Sequence, residues 1–225
     1  MHFPTPPNIS RIISTPAAVY FHPASIGYGN ATMKTRKYLT RREIQRLEAA
    51  AMKSRYPLRN RCLIRLCFIH GFRISELCRL KLSDINLEDR TLCVSRLKNG
   101  LSTIHPLTQD ELPVLMSWLL ERDTWRDADS PYLFLSQKNG SLSRSSAYDL
   151  FRQLGRDASL SVPVHPHMLR HACGFALADL GVDTRLIQDY LGHRNISHTV
   201  IYTASNPRRF RHIWNRVPAD DLTDE

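Results

Sequence analysis

From His167 to Tyr202 the chain reads His-Met-Leu-Arg-His, then Leu191-Gly192-His193, then Tyr202-Thr203. Imidazoles, a guanidinium and a phenol thus fall within a span that two or three short helices could fold onto one site. Acids are scarce around it: Asp179, Asp183 and Asp189 are the only ones between Val164 and Asn206, each placed as a helix cap or surface residue. Such a set suits phosphoryl transfer without a metal. Attack on a phosphodiester needs a nucleophile, cationic support at the non-bridging oxygens and a proton for the leaving alkoxide. Arginine supplies the support well, because its planar fork donates two parallel hydrogen bonds and keeps its charge.

Two metal-based alternatives fit less well. A two-metal nuclease needs carboxylates that this stretch lacks. A zinc site from His165, His167 and His171 has i, i+4 spacing at 167 and 171, but no Glu follows the first His as a metallohydrolase requires. Capping and packing alone could explain any one of these histidines, though less easily the whole set.

The elements that must position this chemistry are legible along the chain. Thr40 and Glu43 have capping-box spacing, flanked by Leu39 and Ile44 at staple positions, and predict a first helix. A second helix is expected from about Leu58 to His70, with Leu63, Leu66 and Cys67 inward and Gly71 as its left-handed stop. Ser75-Glu76-Leu77 begins a third, so Arg73 lies in a joint between packed helices. Residues 91–95 and 102–105 read as strands flanking Asn99-Gly100, a hairpin turn that presents Lys98 near its tip. A helix near 109–121, a short strand at 132–135, a turn at Asn139-Gly140 and a helix from Ser143 to Gly155 follow. Leu169, Ala172, Cys173, Ala176 and Leu180 form an apolar stripe on a helix ending at Gly181, with His167, Arg170, His171 and Gly174 on another face. Asp183 caps the next helix, which ends at Gly192; a short helix over 199–203 and a basic helix over 208–216 complete the chain. The fold class is mainly α with a small antiparallel β-hairpin (α+β).

Charge is concentrated rather than spread. The 225 residues carry 31 Lys and Arg against 21 Asp and Glu, a formal net charge of +10. Twelve of the basic residues and two acids, Glu43 and Glu48, lie between Lys34 and Arg73; the remaining 19 of each sign cancel. A solvated helix face normally interleaves Glu, so this stretch points to DNA, with Lys34, Arg36, Lys37, Arg41 and Arg42 as candidate contacts. Five scattered cysteines without a Cys-x-x-Cys pair argue against a disulfide framework and for a reducing cytosol. No apolar run is long enough to span a bilayer. Residues 1–32 hold five prolines, one Arg and no acid, which excludes a signal peptide and predicts a loosely attached extension over 1–33.

Gly71-Phe72-Arg73-Ile74-Ser75-Glu76-Leu77, Lys98 on a hairpin, His167-Met168-Leu169-Arg170-His171, Leu191-Gly192-His193 and Tyr202-Thr203 resemble, in order and spacing, the motifs of the tyrosine recombinase (phage integrase) family. Within it, 165–175 and 183–206 are most similar to the fimbrial phase-switching recombinases. The resemblance implies a catalytic domain over 34–207, followed by a basic helix and acidic tail over 208–225. It implies Tyr202 as nucleophile, His167 as base, Arg73 and Arg170 as phosphate clamps, Lys98 as leaving-group acid and His193 as a hydrogen-bond donor to the phosphoryl group, with Glu76 and His171 bracing them. No metal, ATP or other cofactor is implied.

The implied activity is site-specific recombination through a 3′-phosphotyrosyl intermediate, inverting a promoter-bearing element that controls fimbriae. Double-stranded DNA with inverted-repeat sites, a homotetramer on synapsed DNA and accessory DNA-bending proteins are the implied partners, in a bacterial, nucleoid-associated cytoplasmic setting. Many family members carry a separate helical DNA-binding domain before the catalytic one. The stretch before Thr40 is too short and proline-rich for that, as in the fimbrial group, so the basic 34–65 region is expected to supply part of the grip. A regulator that keeps the fold without strand exchange and a type IB topoisomerase are the competing readings.

Overall fold

A computed structural model of the chain describes residues 36–97, 100–138 and 140–204, which belong to one compact unit. Lys34, Lys98, Asn99, Asn139 and the 208–216 segment lie outside the described residues.

Helix α1 (Arg41–Met52) begins as expected. The Thr40 hydroxyl accepts from the Glu43 N–H, the Glu43 carboxylate accepts from the Thr40 N–H, and Leu39 and Ile44 are both buried. Helix α2 (Pro57–Ile69) starts on Pro57, whose missing N–H costs nothing in a first turn, and buries Cys62, Leu63, Ile64, Leu66 and Cys67. Buried on most sides, it is the central helix, packed against α1 and three later helices. Gly71 ends it with φ +58°, a conformation that penalises any side chain. One turn of helix, α3 (Ile74–Leu77), follows at once.

Three short antiparallel strands come next: β1 (Ile85–Asn86), β2 (Thr91–Val94) and β3 (Thr103–Pro106), in spatial order β1-β2-β3. Leu92 pairs with His105 and Val94 with Thr103. Leu92 and Val94 are buried, while Cys93 and Ile104 face outward, the period-two alternation of a sheet with one wet face. Helix α4 (Leu112–Arg122) seats Trp118, whose indole N–H donates to the Leu133 carbonyl.

The strand expected at 132–135 is not one. Tyr132 and Leu135 make only isolated bridges, to Lys81 and Ser141. The Leu133 N–H and the Phe134 carbonyl still bond to backbone, at Leu80 and Leu142, while buried Arg122 takes the Tyr132 carbonyl together with those of Ala128 and Ser130.

Helix α5 (Arg144–Asp157) is capped by the Ser143 hydroxyl and runs past Gly155. That glycine is not the stop expected: a Cβ there would sit 2.6 Å from Val164 Cγ2, so its role is close packing. Helix α6 (Pro166–Asp179) buries Met168, Leu169, Ala172 and Cys173. Leu180, the expected end of the stripe, is 69% exposed because the helix has already ended there.

Asp183 caps α7 (Thr184–Leu191), accepting from two backbone N–H groups, and Gly192 closes it at φ +65°. Helix α8 (Ser197–Thr203) lies against α6 and α7. A main core is built on α1, α2, α4 and α5, and a second cluster of Cys173, Ala178, Ile187, Leu191 and Tyr202 sits beneath α8. No helix among the described residues is long and apolar enough to cross a membrane.

Candidate active site

The site begins where α2 turns into α3. Arg73 is the residue that opens α3, and its backbone N–H and Nη1 donate to the two oxygens of Glu76, at 3.0 and 2.6 Å. Burial alone would raise the Glu76 pKa. The Arg73 N–H and the cations Arg96 and Arg73 outweigh it and hold the carboxyl below its ordinary range. Glu76 is therefore a fixed anion beneath Arg73, whose side chain remains partly exposed.

Arg170 reaches the same place from α6. It is 1% exposed, and its Nη1 and Nη2 donate to the carbonyls of Gly71 and Leu191, at 2.5 and 2.7 Å. Two of the five guanidinium N–H groups are used in this way. Burial, then Arg73 and Arg96, lowers its pKa to about 10, which still leaves it charged at neutral pH.

Tyr202 is 1% exposed, with its ring at 5.1 Å from Phe175 and 5.9 Å from His171, centroid to centroid. The pocket exists because residue 174 is glycine: a Cβ there would lie 2.5 Å from the Tyr202 ring. The phenol is 3.0 Å from His171 Nδ1. Burial pushes its pKa to about 12, against the opposing pull of Arg170. Neutral phenol and neutral imidazole are the resting pair, since burial and then Arg170 also hold His171 below its ordinary value. His167 stands edge-on to His171, 4.5 Å between centroids, and is exposed. Crowding of its ring and then His171 and Arg170 lower it to about 4.

His193 follows the α7 stop. Its backbone N–H and C=O are both tied to Gln188, and its Nδ1 is 2.9 Å from the Thr199 hydroxyl at the start of α8. The ring is 6.4 Å from that of Tyr202, nearly parallel to it. Burial, then Arg170 and Arg73, lowers it to about 3. An entering phosphate would raise His167, Arg170, His171 and His193 part of the way back, since it opposes the cationic share of what lowers them, and would raise the Tyr202 phenol further.

Arg73, Glu76, His167, Arg170, His171, His193 and Tyr202 are thus brought together from four separate stretches of chain. His165 is not among them; its ring stacks on Tyr148. Among the described residues, no three His, Cys, Asp or Glu side chains are placed to share a metal ion.

The basic stretch is more divided than its composition suggests. Arg59 is buried against the Leu135 carbonyl and Asn60, Arg65 forms a paired bond to Glu48, Arg46 holds the carbonyls of Ala158 and Ser159, and Arg36 pairs with Glu43. Lys37, Arg41 and Arg42 are exposed at the start of α1.

Sequence reasoning missed Arg96. Its Nη1 donates to Glu76 at 3.0 Å and its Nη2 to the carbonyls of His70 and Tyr190, at 2.9 and 2.7 Å. The signal was available: Leu92, Val94 and Arg96 share the inward parity of a strand.

Residues 37–209 match the model of the phage integrase family. The chain belongs to that family, and its fold is a tyrosine recombinase catalytic domain. It is 54% identical over 187 residues to the type 1 fimbriae regulatory protein FimB of Escherichia coli strain K12, covering 83% of this chain and 94% of that protein. It is 49% identical over 185 residues to FimE of the same strain, covering 82% and 93%. The crystal structure of XerA recombinase aligns with a TM-score of 0.68 at 31% identity, over 80% of this chain and 65% of that one. XerH site-specific recombinase, solved bound to its difH substrate before cleavage, aligns at 0.64 with 26% identity, over 82% and 56%.

Proposed function

We propose that this chain inverts a DNA segment controlling type 1 fimbriae, by cutting and rejoining double-stranded DNA at inverted repeats with Tyr202 as nucleophile. The observation that carries the reading is the Tyr202 phenol hydrogen-bonded to His171 beside Arg73, Arg170 and His193. Among the described residues Glu76 is the one carboxylate in that cluster, and it is already engaged by arginines. Family membership and identity to FimB and FimE over most of their length support the biological role.

In the proposed reaction the Tyr202 oxygen attacks phosphorus as the P–O5′ bond breaks. The phenolic proton passes to the imidazole pair, with the exposed His167 as base and His171 as the holder of the resting phenol. Arg73 and Arg170 receive the charge on the non-bridging oxygens. His193 accepts from Thr199 at Nδ1, keeps its proton on Nε2 and donates it towards the phosphoryl group. Lys98, outside the described residues, protonates the 5′ oxygen. Because the phosphodiester is stored as a phosphotyrosine, a second 5′ hydroxyl can reverse the step without ATP, and cutting becomes exchange.

Lys34, Arg36, Lys37, Arg41 and Arg42 contact the DNA backbone, with Arg36 also paired to Glu43. Exchange between two duplexes requires four copies of the chain, and accessory DNA-bending proteins assist their assembly in the nucleoid. The catalytic domain spans 34–207, between an extension over 1–33 and a basic helix with acidic tail over 208–225.

The test is inversion on a plasmid carrying the repeats selected from genomic DNA by binding to the protein. The wild type should invert the intervening segment and Tyr202→Phe should not. Relaxation of a plasmid lacking the repeats, with no inversion, would instead establish a topoisomerase.

A further inference from the structure

Arg96 and Arg170 grip the same two pieces of backbone. Arg170 holds the carbonyls of Gly71 and Leu191; Arg96 holds those of His70 and Tyr190, one residue earlier in each piece. Arg96 also donates to Glu76 Oε2 while Arg73 donates to Oε1, and it reaches the Gly71 carbonyl at 3.4 Å. Next to it, the Leu97 N–H donates to Glu76 as well.

Room has been made for this side chain. A Cβ on Gly192 would meet Arg96 Cγ at 2.8 Å, and one on Gly100 would meet Arg96 Cβ at 2.8 Å. The guanidinium lies 5.6 Å from the centre of the Phe72 ring, its side chain is fully buried, and its Nε has no hydrogen-bond partner among the described residues. An orphaned donor and a buried charge are costly. Arg73 and Arg96 bond to one carboxylate and Arg170 stands near it bonded only to carbonyls, which leaves the cluster with unbalanced positive charge facing the position where a phosphoryl group would carry negative charge.

We propose that Arg96 is a positioning residue for phosphoryl transfer: it fixes the Glu76 carboxylate and the 70–71 and 190–191 backbone, from which Arg73 and Arg170 are aimed at the scissile phosphate. The inference rests on the recombinase reading above. Arg96 touches no reacting atom. Its effect is on the direction of the two clamps, and a misplacement of that kind costs about 10²-fold in rate.

The experiment uses the full chain and single-turnover cleavage of a nicked duplex carrying the selected repeat, with either a phosphodiester or a methylphosphonate at the scissile position. The methylphosphonate lacks one non-bridging charge, so it depends less on the clamps. Arg96→Met should bind the duplex like the wild type, cleave the phosphodiester about 10²-fold more slowly, and show a clearly smaller deficit on the methylphosphonate, as Arg73→Ala should too. A purely structural role would slow both substrates equally.

Arg96→Lys keeps the charge but not the fork, and reports if the Met variant does not fold. It should lose about tenfold on the phosphodiester with the same substrate dependence. Phosphodiester cleavage within about threefold of wild type by a folded variant, or equal deficits on both substrates, overturns the proposal. Failure of the wild type itself to cleave would overturn the recombinase reading instead.

Discussion

His171 Nδ1 lies 3.0 Å from the Tyr202 hydroxyl, which joins the motif helix to the residue 31 positions later that is proposed to attack DNA. The proposed nucleophile is therefore held by the imidazole proposed to handle its proton, in a pocket closed to solvent. His171→Ala should slow cleavage of bound DNA by about 10²-fold, within the usual range for loss of a proton-handling group, with DNA affinity unchanged. Single-turnover rates at saturating DNA check this; a loss confined to affinity would contradict it.

Gly174 sets the depth of that pocket. Gly174→Ala places a methyl 2.5 Å from the Tyr202 ring, so the ring or α8 must move. Overpacking of this kind destabilises by about 1–3 kcal/mol. The variant should melt at a lower temperature and expose Tyr202 to nitration by tetranitromethane. Unchanged nitration of Tyr202 together with an unchanged melting temperature would show that the pocket is not closed by Gly174.

Acid should weaken the fold through groups kept uncharged or anionic in it. His105 is stacked on Tyr190 and bonded to His70 and Thr103; burial, then His70 and Arg96, lowers it from 6.5 to about 3. His193 is lowered to about 3 as well. Between those limits the unfolded chain binds more protons, so this stability is complete above about pH 6.5 and is lost as pH falls towards 3. The Glu76 contribution, from a depressed carboxylate, is present above its unfolded value of 4.5 and disappears below it. Urea midpoints should fall steadily from neutral pH to about pH 4, and less steeply in His105→Gln. A midpoint independent of pH over that range would contradict the assignment.

At the start of α1, Lys37, Arg41 and Arg42 are exposed while several neighbouring arginines are bound within the protein. Replacing all three by Ala should reduce the slope of log affinity against log salt by about 2.7, or about 0.9 for each phosphate that is no longer neutralised. Fluorescence anisotropy at several salt concentrations measures it, and an unchanged slope would place the DNA elsewhere.

Local chemistry was the readable part of the sequence. The Thr40–Glu43 box, the Gly71 and Gly192 stops and the Asp183 cap involve residues within a few positions of each other, and Arg73, Arg170 and Tyr202 stand out by type and spacing. For Arg96 only the inward parity was readable and its role was not, because four of its partners are a carboxylate and three carbonyls at separations of 20 to 94 residues, and carbonyls leave no mark in a sequence. The buried chain from Thr103 through His105 and His70 to Glu111 was hidden for the same reason. Gly155 misled because a glycine that ends a helix and one that admits a neighbour look alike. Residues 132–135 read as a strand because Tyr132, Leu133, Phe134 and Leu135 have strand composition, whereas carbonyls among them are met by Arg122, Trp118 and Arg59 side chains.

The central claim is that Tyr202 forms the covalent bond to DNA. The direct measurement is mass spectrometry of the tryptic peptide beginning at Asn195, after incubation of the full chain with a nicked duplex carrying the selected repeat. The account predicts a nucleotide 3′-phosphate attached at Tyr202, absent in Tyr202→Phe and formed with a divalent-metal chelator present. An adduct on another residue, or one that persists in Tyr202→Phe, would contradict it.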